Sequence, residues 1–65
     1  MKIGDRYMYL PDEVVMRVNE IEDDTVFLIP THNVRLRFLR SGKKGYPFRI
    51  DHVENESGPF KKLKQ

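Results

Sequence analysis

Cysteine and tryptophan are both missing from this chain of 65 residues. Without cysteine there is neither a disulfide staple nor a thiolate metal site. A chain this short buries only about 60% of its unfolded surface, so it must hold together by packing alone. The absence also fits a reducing compartment. No apolar run approaches the roughly 20 residues that span a bilayer. Asp5 and Arg6 interrupt the N-terminal segment before any secretory apolar core can form. The reading is therefore a cytoplasmic protein that does not cross a membrane, with residues 1–65 as a single domain.

What is present is charge, and it is unevenly placed. Residues 1–30 carry three basic and seven acidic side chains, a formal −4, and residues 31–65 carry nine basic and three acidic ones, +6. The overall +2 conceals this separation. A basic half invites a polyanion or an acidic partner protein.

Apolar spacing favours strands. Tyr7-Met8-Tyr9-Leu10 is rich in strand-forming residues, and Pro11-Asp12-Glu13 ends the run with turn chemistry. Val14, Met16 and Val18 alternate with polar or outward positions, the period of a half-buried strand. Glu20 to Thr25 reads as a hairpin connection, Val26 to Ile29 as a strand ended by Pro30. Val34, Leu36 and Phe38 then alternate with Arg35 and Arg37, and a loop, Ser41-Gly42-Lys43-Lys44-Gly45, follows. Phe48, Ile50 and Val53 are expected to form a fifth strand. Phe60 to Gln65 is expected to be a short turn or helical tail, with Phe60 and Leu63 docked on an open end of the sheet. The fold class is thus all-β: a small five-stranded antiparallel barrel, SH3-like before OB-like because of its size. The expected core is Ile3, Tyr7, Val14, Met16, Val18, Ile21, Val26, Leu28, Leu36, Phe38, Phe48, Ile50 and Val53.

Gly4-Asp5-Arg6-Tyr7, Val15-Met16-Arg17-Val18 and Asp23-Asp24-Thr25-Val26 together resemble a small-barrel pattern. In that pattern a Gly-Asp turn opens the first strand and a hairpin follows over an acidic turn. It is similar to KOW-type and other SH3-like barrels, and to short prophage-encoded proteins of unknown function. The resemblance covers residues 4–29 and implies binding to nucleic acid or protein. It assigns no role to any residue, and the second half of the chain matches no such motif.

Chemistry-bearing motifs are few. The acidic group Glu20, Glu22, Asp23 and Asp24 lacks the alternate spacing and central glycine of a calcium loop. His32 and His52 alone make no zinc site. Neither Ser41 nor Ser57 has the setting of an activated nucleophile, and the Ser41 to Gly45 loop lacks the first glycine of a phosphate-binding loop. The chain is expected to be no enzyme and to need no cofactor or metal. The strongest candidate surface is basic: Arg35, Arg37, Arg40, Lys43, Lys44 and Arg49, with Tyr46 placed to stack on an unpaired base. Residues 35–49 contain no acidic side chain, whereas a merely solvated face usually mixes signs. DNA or RNA is the expected partner. The alternative is an acidic or host protein, as for a phage-type modulator, or a second copy in a homodimer. For these, Tyr7, Met8 and Tyr9 offer contact area.

Overall fold

The computed structural model describes residues 1–31 and 44–64, which build one five-stranded antiparallel sheet and a helical turn. The strands are β1 (Arg6–Tyr9), β2 (Val14–Glu22), β3 (Thr25–Pro30), β4 (Tyr46–Arg49) and β5 (Phe60–Leu63), with α1 (Ile50–Glu54) between β4 and β5. Their order across the sheet is β4-β3-β2-β1-β5. The first four strands meander, and α1 returns the chain so that β5 lies beside β1. The expected strand around Val34 to Phe38 lies outside the described residues, as do Arg35, Arg37, Arg40 and Lys43.

The alternation read from the sequence sorts side chains correctly in β1 to β3. Tyr7, Met16, Val18, Val26 and Leu28 are all buried in one cluster with Val53 and Phe60. Each such burial is worth about 1.5–3 kcal/mol. Strand β2 runs further than expected, to Glu22. A register shift between Val18 and Glu20 is the reason. The extra residue lets Val18 and Ile21, three apart, both turn to the core side. The two-residue connection Asp23-Asp24 follows, with Asp23 at φ 52° in the left-handed region that aspartate tolerates.

Two expectations about the C-terminal third are overturned. Ile50 to Glu54 is helical, not a strand. Ile50 and Val53 are three apart, a spacing that shares one helix face but would split across a strand. Val53 is buried and Ile50 packs on the same cluster. Conversely, Phe60 to Leu63 is a strand, not a helical tail, paired to β1 with Tyr9 opposite Phe60 and Arg6 opposite Leu63. The Leu10 N–H donates to the Pro59 carbonyl (2.8 Å) and extends that pairing by one step. Ile3, expected inside, is 65% exposed, because the chain turns at Gly4 (φ 97°) before entering the sheet.

The sheet is not closed as a barrel: β4 and β5 are its two edges. It is nevertheless strongly bent. Phe48 on β4 and Phe60 on β5 meet edge-to-face with ring centroids 5.0 Å apart, and α1 packs against both edge strands. The seam is joined by side chains where backbone pairing is lacking. Both edges carry protection against pairing with another chain. Pro47 offers no N–H on β4, and Lys61 and Lys62 put charge on β5.

Candidate functional site

Bending the sheet gathers aromatic residues from distant parts of the chain onto its concave side. A groove of about 390 Å³ is lined there by Tyr9, Asp12, Val14, Met16, Pro30, Tyr46 and Phe48. Tyr9 and Val14 face each other across β1 and β2, and Pro30 lies opposite Met16 on β3. Tyr46 and Phe48 are alternate residues of β4 and therefore point the same way. Tyr46 is 44% exposed, Tyr9 is half-buried against Phe60 with ring centroids 5.2 Å apart, and Phe48 is half-buried. The carboxylate of Asp12, in the β1–β2 turn, supplies the charge on this lining.

A second depression, about 440 Å³, lies near the C-terminal end of α1, between Tyr7, Leu10, Val53, Glu54 and Lys62. Burial there pushes the Tyr7 phenol above its ordinary range, and the nearby carboxylates of Glu54 and Asp5 add to the shift. Asp5 moves the opposite way. Its Oδ2 accepts the Lys2 backbone N–H at 2.9 Å, and the Lys62 ammonium sits 3.7 Å away. Together they hold the carboxyl below the usual aspartate range, the backbone hydrogen bond contributing most.

The structure separates the candidates named from sequence. Tyr7 is 2% exposed and belongs to the core, so it offers no contact surface. Met8, the next residue, points to the outer, convex face and is half-buried, while Tyr9 lies in the groove. Tyr46 joins Tyr9 there, an association that spans 37 positions and has no local sequence signal. Lys44 and Arg49, the described members of the expected basic ribbon, are engaged within the chain. The Lys44 ammonium pairs with Glu22, lies 3.9 Å from Glu20, and sits 5.6 Å from the Phe27 ring centroid. Glu22 in particular raises the Lys44 pKa above its ordinary value. Arg49 Nε is 3.3 Å from Asp51 Oδ1. The acidic hairpin and the start of the basic half therefore meet in space. Asn19, the bulged residue, fixes this approach by donating from Nδ2 to the Lys44 carbonyl (2.8 Å). His52 is exposed and stands edge-on to Phe60, and His32 lies outside the described residues.

No family model, curated protein or solved structure matches the chain. The functional reading accordingly rests on its own geometry. An apolar, aromatic concavity with one carboxylate at its rim can seat an apolar side chain beside a cationic one.

Sequence reasoning missed a second cationic group altogether. Arg6 and Arg17 are directly opposite each other on β1 and β2, and Lys61 lies opposite Met8 on β5. All three point to the convex face, because their neighbours Tyr7, Met16, Val18 and Phe60 point into the core. The signal was present as the parity of each strand. For Arg6 and Arg17 it was hidden by the net acidity of residues 1–30.

Proposed function

We propose that this chain is a small, non-enzymatic protein-interaction module that binds a partner segment in its concave aromatic groove. The observation that carries this reading is the convergence of Tyr9, Tyr46 and Phe48 beside Asp12. The occupant is a short peptide segment presenting an apolar residue to the aromatic rings and a lysine or arginine to Asp12. Aromatic anchors in a partly desolvated concavity are what give protein contacts most of their energy. Tyr9 and Phe48 also start half-ordered by packing against Phe60, so little of their side-chain freedom is lost on binding.

The SH3-like assignment belongs to the same proposal. It is supported by the meander of four strands, the return of β5 to β1, and the helical turn that bridges the two edges. A cytoplasmic location, which fits the lack of cysteine, and a host protein as partner, suggested by the resemblance to short prophage-encoded proteins, complete it.

Selection from a library of random peptides tests the reading. The expected result is a set of sequences that pair an apolar residue with a nearby Lys or Arg. The selected peptide should shift the amide signals of Tyr9, Val14, Tyr46 and Phe48. Tyr46→Ala should weaken binding at least tenfold while costing about 1 kcal/mol of stability or less, since that residue is 44% exposed. Selected peptides that leave those four signals in place would rule the groove out.

A further inference from the structure

The convex face of β2, β1 and β5 carries cationic groups that no part of the groove uses. Arg6 and Arg17 are cross-strand partners. Lys61 sits one strand further on, diagonal to Arg6, because Met8 is its direct partner and Leu63 is that of Arg6. Arg6 and Lys61 are exposed and Arg17 is half-buried, its guanidinium reaching to within 3.9 Å of a side-chain position at Gly4. Among the described residues none of the three has a carboxylate within 4.0 Å, whereas Lys44, Arg49 and Lys62 all do. The side chains between them are Met8, Val15 and Leu63, all half-buried and uncharged.

Two arginines directly opposite each other on adjacent strands repel, and such pairs disfavour the sheet. Here the repulsion is left standing. With Lys61 the patch spans three strands, about 10 Å across at the usual strand spacing. A duplex presents a phosphate every roughly 3.4 Å along each strand, so a patch of that width faces two or three phosphates. Arginine's planar fork makes bidentate contacts with phosphate oxygens.

We infer that this convex face is a sequence-independent docking surface for the phosphate backbone of a nucleic-acid duplex, held by Arg6, Arg17 and Lys61. Nucleic acid fits better than protein because, among the described residues, no aromatic side chain lies within the patch: Tyr7, Tyr9, Tyr46, Phe48 and Phe60 lie on the other side, and Phe27, on the convex side of β3, has the Lys44 ammonium over its ring. A duplex fits better than an unpaired strand for the same reason, since nothing here can stack on a base. The site is independent of the aromatic groove and survives if that proposal fails.

The test is fluorescence anisotropy with a labelled short DNA duplex over a range of salt concentrations. The wild type should bind at low salt, with log affinity falling by about 0.9 per phosphate contacted, a slope near −2 to −3. The triple variant Arg6→Ala, Arg17→Ala, Lys61→Ala should flatten that slope by about two. Its melting temperature should fall by no more than a few degrees, because the lost packing of half-buried Arg17 is offset by relief of the like-charge pair. Arg6→Lys with Arg17→Lys should retain the slope, and Arg49→Gln should leave it unchanged. The same sequence as a single strand should bind no more tightly than the duplex. The inference is overturned if the duplex does not bind at low salt. It is equally overturned if the triple variant keeps the full slope while Arg35→Ala with Arg37→Ala loses it, or if anionic vesicles or an acidic peptide bind this face and the duplex does not.

Discussion

Phe60 is the residue on which the sheet's bend depends, and replacing it with alanine is the sharpest perturbation of the fold. The side chain is 4% exposed, and its ring touches Tyr9 from β1, Phe48 from β4 and His52 from α1. Truncation of a buried phenylalanine costs about 3–5 kcal/mol, the lost transfer energy plus the cavity left behind. A domain of this length has roughly 3–10 kcal/mol in all, at the usual 0.05–0.15 kcal/mol per residue. Phe60→Ala should therefore remove between a third of the stability and all of it. Urea denaturation followed by circular dichroism reads this directly. With a slope near 1 kcal/mol per molar, the midpoint should fall by about 3 M or the protein should be unfolded without denaturant. Two variants calibrate the result. Phe60→Leu keeps most of the volume and should cost less than about 1.5 kcal/mol. Leu63→Ala, half-buried on the same strand, should cost about 1 kcal/mol or less. Equal and small losses for Phe60→Ala and Leu63→Ala would refute the reasoning, because the last strand would then not be part of the core.

Gly45→Ala should destabilise by about 1–3 kcal/mol in the same assay, since its φ is 127° and an added Cβ would lie 2.7 Å from the Leu28 carbonyl oxygen and 2.8 Å from Ile29 Cγ2. Asp5, whose pKa is depressed on folding, contributes stability that is present above about pH 4 and lost as pH falls through its folded value. Asp5→Asn should flatten thermal stability against pH in that acid window, and a variant as acid-sensitive as the wild type would count against the Lys2 and Lys62 contacts. Tyr7 is raised by burial, so its neutral form stabilises the fold below about pH 10 and that support is lost as pH rises past the unfolded value. Tyrosinate absorbance should show a late step that appears only with unfolding, and that step should vanish in Tyr7→Phe.

The sequence was most legible where alternation was strict. Val14 to Val18 and Val26 to Leu28 were placed on the correct face because period two has one solution once one side is buried. It was least legible where a spacing of three occurs. Ile50 and Val53 share a helix face, whereas Phe60 and Leu63, with the same spacing, lie on opposite sides of a strand. Length separates neither case, and only the pairing of β5 with β1 decides it. The groove was half-visible. Tyr9 and Tyr46 were both singled out, for different roles, but no local pattern brings them together. The convex cations were invisible for a different reason. Summing charge over thirty residues counts Arg6 and Arg17 with the acidic turn, whereas among the described residues neither has a carboxylate within 4.0 Å.

The most direct test of a two-faced binding module is one amide-shift experiment on the intact protein, titrated first with a duplex and then with a groove-selected peptide. The duplex should move signals around Arg6, Arg17 and Lys61, and the peptide should then move Tyr9, Val14, Tyr46 and Phe48 without displacing it. Overlapping sets of shifted residues, or competition between the two ligands, would contradict the account.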